Sequence, residues 1–292
     1  MSSRVKSAWR VPRQDDWRLA DQPTRIADET LDRKALKKKL KGEVKRISAL
    51  QEKLYAHDHF ALLCVFQAMD AAGKDSTIRA VFTGVNPAGF QVSSFKKPSD
   101  NELEHDFLWR TARALPQRGR IGVFNRSYYE EVLVVRVHPA ILSSQRLPAD
   151  SLGDDIWRRR LRAIADHERH LVENGTQVIK FFLNVSREEQ AARFLSRLEE
   201  PEKNWKFSAN DLNERQHWER YMSAYEAAMQ RTSTRRAPWY SIPADDKPRM
   251  RYEVAKVIRK HLEALPLEWP KVSGAKRQTF QSYADQLRSG EL

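Results

Sequence analysis

Seven apolar residues in a row, Phe60 to Phe66, lead into small residues and then into Gly73-Lys74, within the stretch F-A-L-L-C-V-F-Q-A-M-D-A-A-G-K-D-S-T-I-R of residues 60–79. A run of that length without a polar interruption suits a strand buried on both faces, as the inner strands of a parallel sheet are. A tight loop and a helix start near Gly73-Lys74 should follow. The first N–H groups of a helix have no internal partner and point at an incoming anion, so this order of elements prepares a phosphate site. The stretch therefore requires an α/β chain with an anion site at the head of its first core strand.

The match to the phosphate-loop pattern G-x-x-x-x-G-K-[ST] fails at two positions. Ala68 replaces the first glycine, which is tolerable only if the backbone there keeps a negative φ. Asp75 replaces the hydroxyl residue that helps hold magnesium, although Ser76 and Thr77 follow directly. Asp70 lies inside the loop, and a carboxylate beside a phosphate site makes sense if a divalent cation stands between the charges. The expected phosphate-binding set is Ala71, Ala72, Gly73, Lys74, Asp75 and Ser76.

The rest of the chain alternates strands with helices. Leu36, Leu40, Val44, Ile47, Leu50 and Leu54 recur at helical spacing within 29–55, opposite a lysine-rich face that is either solvated or available to an anion. A helix is expected over 75–85 and a strand over 90–95, with Lys96-Lys97 at its carboxyl end, where open parallel sheets build their ligand crevice. One helix should follow from Ser99 or Asp100 to Leu115, and then a strand over 120–124 that ends at Asn125-Arg126-Ser127. Asn125 stands where such enzymes usually present a metal-holding acid. Glu130 and Arg136 lie close enough in sequence to Arg126 to line a nucleotide site, whereas Glu131 reads as part of a charged face. Further elements are a helix over 154–174, a strand over 177–185, a Ser186/Glu189 capping box, a long helix over 208–230, a strand over 237–243 and a closing helix over 248–264. His167 and His170 share a helical face, but no further ligand completes a metal site. Lys247 falls at a crevice edge. These elements specify an α/β fold: a three-layer α/β/α parallel-sheet kinase core.

The formal charge of +13 and pI near 9.8 point to an anionic partner without choosing among nucleic acid, an acidic membrane and a phosphate-rich substrate. A single cysteine, Cys64, rules out an internal disulfide and suits a reducing cytoplasm. No apolar run reaches the ~20 residues of a membrane span, and residues 1–28 read as a flexible basic arm rather than a targeting signal. No nucleophile with a paired base stands out, and phosphoryl transfer to an already anionic nucleotide oxygen requires none.

Q-A-M-D-A-A-G-K-D, then F-N-R-S-Y-Y-E-E-V-L-V-V-R-V-H, then R-F-x-x-R with P-x-K-x-W-K, together resemble the polyphosphate kinase 2 family over about Asp16 to Leu265. The closest likeness is to its subgroup acting on nucleoside mono- and diphosphates. The resemblance implies a P-loop kinase-like domain over 29–265 with a helical lid at about 187–210 and a surface tail over 266–292. It implies phosphoryl transfer from inorganic polyphosphate to AMP and/or ADP, giving ADP and ATP with Mg2+. Asp70, Lys74, Arg126, Arg193 and Arg197 would be catalytic, and Lys96, Lys97, Lys206 and Lys247 further phosphate contacts. Asn125, Arg126, Glu130 and Arg136 would meet the nucleotide, and Asp70 and Asn125 the metal. A homo-oligomer, dimer or tetramer, is also implied, with neither membrane nor nucleic acid as partner. An ATP-dependent nucleoside monophosphate kinase and a non-catalytic polyanion- or RNA-binding protein remain as alternatives.

Overall fold

In a computed structural model that describes residues 5–27 and 32–291, the apolar runs become five parallel strands: β1 Ala61–Gln67, β2 Phe90–Ser94, β3 Ile121–Asn125, β4 Thr176–Asn184 and β5 Trp239–Pro243. They pair in the order β2-β3-β1-β4-β5. Every residue of β1 is buried, as its uninterrupted apolar run demands. β1 and β3 are neighbours, with Phe66 opposite Asn125, and their outgoing connections leave toward opposite edges of the sheet. The crevice beyond the carboxyl ends of such a pair is where open α/β sheets bind ligands.

The helices are α1 Arg33–His57, α2 Lys74–Phe82, the one-turn α3 Asp100–Leu103, α4 Trp109–Ala112, α5 Val134–Val137 and α6 Ile141–Ser144, then α7 Ile156–Glu173, α8 Arg187–Glu199, α9 Ala209–Gln216, α10 Trp218–Thr232, α11 Lys247–Glu263 and α12 Gly274–Ser289. Side chains alternate across β4 and so define the layers. Lys180 and Phe182 face α7 and α10 through Glu168 and Tyr225, while Phe181 faces Tyr240 and, beyond it, His261 of α11. α1 and α2 pack with α11 on that second face, which makes the expected three layers.

Four expectations change. The helix expected from Ser99 to Leu115 is two single turns, separated by a turn in which the Asp106 carboxylate accepts from Leu108 N. The helix expected over 208–230 breaks at His217, whose ring meets His138 edge-on at 5.0 Å. The expected arm is no flexible segment over residues 5–27. Val11 N donates to Trp239 O and Ser241 N to Trp9 O, so this segment covers the open edge of β5 and buries Val11, Trp17 and Leu19. The tail holds α12, capped by Ser273 and Gly290. Residues 1–4 of the arm and the start of the first helix at Glu29 lie outside the described residues; α1 begins after the Asp32 cap. Among the described residues no helix is long and apolar enough to cross a membrane.

The α11 layer contains a pH-sensitive group. His261 is buried, and burial, aided by nearby Arg10, pushes its pKa down to about 3. Burial also pushes the Tyr240 phenol up to about 12, and its hydroxyl shares a hydrogen bond with neutral His261 Nε2 across 2.7 Å. In the unfolded chain this imidazole gains its proton near pH 6.5, so between that pH and about 3 only the unfolded state binds the proton. Stability from this group is complete above pH 6.5 and declines on acidification, by about 2 kcal/mol at pH 5. Urea unfolding at pH 7 and pH 5 should show that loss, and His261→Gln should remove most of it. An unchanged pH slope in the variant would refute the assignment.

Candidate active site

The loop between β1 and α2 resolves the first departure from the phosphate-loop pattern. Ala68 does not take a positive φ; the left-handed positions are Ala71, at φ 60°, and Gly73, at φ 104°. For alanine that conformation costs about 1–2 kcal/mol, so something must hold it. Arg193 does. Its Nη1 donates to Ala71 O at 3.1 Å and Ala72 O at 2.8 Å, and its Nη2 to Ala244 O at 2.7 Å and Asp245 O at 3.3 Å. Its Nε donates to Glu189 Oε1 at 2.8 Å. Arg193, expected to screen the transferring group, is turned toward backbone here. At 7% exposure, with every guanidinium nitrogen engaged, it ties the loop to the β5–α11 connection. Glu189 is thereby drawn away from a reciprocal capping box: Ser186 Oγ accepts from Glu189 N, while Ser186 N donates to Asp245 instead.

Lys74 stays at the loop. Its Nζ donates to Ala68 O at 2.9 Å; burial lowers its pKa, and the Asp70 carboxylate pulls it back upward. Asp70 Oδ1 accepts from Arg126 Nη2 at 3.0 Å, and Arg126 Nη1 lies 3.7 Å from Glu130 Oε2. Glu130, and after it Asp70, hold the Arg126 guanidinium more firmly charged than usual. Arg126 itself sits at φ 63°, with its N–H donating to Phe66 O at 3.0 Å. Glu130 is fixed from the other side by Gln67 Nε2 at 2.9 Å. Glu131 instead belongs to the core, against Arg160.

The second departure is resolved by exchange. Asp75 Oδ1 accepts from Asn125 Nδ2 at 2.5 Å, so the helix supplies the carboxylate that the β3 end lacks. Ser76 and Thr77 do not substitute for the missing hydroxyl, since Ser76 Oγ donates to Gly73 O and Thr77 is buried against Met250. Among the described residues no three His, Cys, Asp or Glu side chains converge into a ready metal cage.

Opposite the loop, Arg197 of α8 donates through Nη1 to Asp211 Oδ2 at 3.1 Å and to Lys206 O at 3.2 Å. Asp211 was not foreseen from sequence, where it reads as an acid in the first turn of a helix. Burial raises its pKa, Asp70 raises it further, and Arg197, Arg126 and Lys74 oppose them. Lys247 is half-buried beside Arg193 and Glu189. Arg136 is half-buried and forms no ion pair among the described residues. Lys206 is exposed, its Nζ 5.0 Å from the Trp205 ring centroid. Lys96 and Lys97 are exposed beyond β2, two strands away from β1, and do not join the cluster.

A central parallel strand feeding a phosphate loop, with an arginine-bearing helix bonded to that loop, defines a P-loop kinase-like phosphotransferase core. Residues 30–268 match the family model described as polyphosphate kinase 2 (PPK2). The chain is 55% identical over 249 residues to an ADP-polyphosphate phosphotransferase of Rhodopseudomonas palustris, covering 85% of this chain and 86% of that one. It is 45% identical over 226 residues to an AMP/ADP-polyphosphate phosphotransferase of Meiothermus ruber, covering 77% and 80% respectively. A crystal structure of polyphosphate kinase 2 from Arthrobacter aurescens TC1 superposes with a TM-score of 0.83 at 38% identity, over 94% of this chain and 95% of that one. The chain belongs to the polyphosphate kinase 2 family.

Proposed function

We propose that this chain transfers the terminal phosphoryl group of inorganic polyphosphate to AMP and ADP, forming ADP and ATP. The observation that carries this reading is the cationic cradle. Lys74 and Arg126 flank Asp70 at the head of β1, and Arg197 faces them from α8. Two substrates that are both polyanions need such a cradle to approach each other. A terminal phosphate oxygen of the nucleotide attacks the end phosphorus of the chain, the bridging P–O bond breaks, and the shortened polyphosphate leaves with the electron pair. The attacking oxygen is already ionised, so alignment and charge neutralisation suffice.

Lys74, Arg126 and Arg197 would meet the phosphates, with Lys247 and Lys206 along the donor path, and Glu130 and half-buried Arg136 would flank the acceptor. Mg2+ is the proposed cofactor, supplying charge neutralisation when bound. Asp70 and Asp75, with the Asn125 amide, offer hard oxygen donors without closing a cage, which fits an ion that takes one or two carboxylates and completes its shell with water and substrate phosphates. The lid is proposed to run from α8 through α9, somewhat past residue 210, because Asp211 belongs to it. A cytoplasmic location is supported by the lone buried Cys64. A homo-oligomer is supported by Phe280, Tyr283 and Leu287, all exposed on α12.

Incubating the protein with AMP or ADP, polyphosphate and Mg2+, without ATP, should yield ADP and ATP. Product only when ATP is added as donor would refute the reading and favour a nucleoside monophosphate kinase. The same preparation should weigh as a dimer or tetramer by light scattering, and a monomer would remove that part.

A further inference from the structure

We infer that Asp211 is a built-in competitor of the polyphosphate, holding Arg197 until an incoming phosphate takes that guanidinium over. The inference rests on the proposed function of the same cleft. Arg193 and Arg197 are one helical turn apart on α8, yet their surroundings differ. Arg193 is used up on backbone carbonyls and on the Glu189 carboxylate. Arg197 hydrogen-bonds only through Nη1 among the described residues, and the Arg197–Asp211 pair keeps 22% and 18% of its side-chain surface exposed. The pair is only partly buried, so an anion arriving in the cleft can reach the guanidinium and compete for it.

The placement of Asp211 needs a reason. It lies in the first turn of α9, N-capped by Ser208, and it senses Asp70, Arg126 and Lys74. A further carboxylate beside a cleft built for anions opposes substrate binding unless it moves when substrate arrives. Phosphate is the better partner for a guanidinium, because two of its oxygens can accept a parallel pair of N–H bonds. Exchange frees Asp211 and lets α9 shift against α8. When the shortened chain leaves, Asp211 recaptures Arg197, and stray small anions find the arginine already taken.

Removal of the competitor should tighten donor binding. Titration calorimetry with medium-chain polyphosphate and Mg2+, without nucleotide, should show Asp211→Asn binding roughly two- to fivefold more tightly than the unmodified chain. Asp211→Ser should do the same. In an Arg197→Ala background the Asp211→Asn change should have no effect. Equal tightening in both backgrounds would overturn the inference, because loss of a negative charge anywhere in the cleft would then explain it. Weaker binding by Asp211→Asn, with its Mg2+ requirement raised, would overturn it by making Asp211 a metal ligand. An unmodified chain that binds while Asp211→Asn binds no more tightly overturns this inference alone. An unmodified chain that binds no polyphosphate overturns both it and the function beneath it.

Discussion

Lys74→Ala should lower the rate of ATP formation from polyphosphate and ADP by about 10³-fold, the scale of losing a charge that stabilises a transferring phosphoryl group. The fold should survive. Lys74 donates a single bond, to Ala68 O, and the loop is held separately by Arg193 through Ala71 O and Ala72 O. The stability change should therefore stay within about 1 kcal/mol, the net value of one hydrogen bond. Lys74→Arg should not restore the rate, because a planar fork cannot sit where a compact ammonium reaches over Ala68. Product assays and thermal melts on the same preparations separate the two effects. A variant retaining more than a tenth of the rate would remove Lys74 from catalysis. A protein that merely bound polyanions would keep its affinity and have no rate to lose.

Features carried by contiguous residues were legible in the sequence: the buried β1 run, the loop of small residues, and the strand–helix alternation. Features set by distant partners were not. Arg193 and Arg197 look equivalent four residues apart on one helical face, and only the carbonyls of Ala71, Ala72, Ala244 and Asp245 distinguish them. Asp75 and Asn125 each read as a defect. They become a complementary pair only because β1 and β3 are neighbours, which brings the end of one strand beside the helix that follows the other. In the N-terminal segment the buried Val11, Trp17 and Leu19 are too sparse for either period to register. Lys180 interrupts the otherwise apolar run V-I-K-F-F-L, and a lysine there must find a buried partner.

That partner is Glu168, and breaking the pair should give the largest loss of stability in the chain. Lys180 is 0% exposed; its Nζ donates to the Glu168 carboxylate and to Thr232 O. Burial pushes both groups toward neutrality and their mutual attraction opposes it. Burial also keeps Tyr128 and Tyr129 protonated, and both hydroxyls donate to Glu168 Oε1, at 3.0 and 2.9 Å. These tyrosines directly follow Arg126-Ser127, so the buried carboxylate anchors the turn that keeps Arg126 left-handed beside Asp70. Lys180→Met leaves a carboxylate buried without its cation and should destabilise the fold by about 3–5 kcal/mol. In a domain of this size that lowers Tm by roughly 10 °C. Adding Glu168→Gln removes the stranded charge while keeping an acceptor for the tyrosines, so the double variant should recover much of the loss and, with the Arg126 turn restored, most of the activity. A double variant as unstable as Lys180→Met would mean that shape at position 180, rather than uncompensated charge, sets the penalty. A Lys180→Met protein with unchanged Tm would show that the pair anchors nothing.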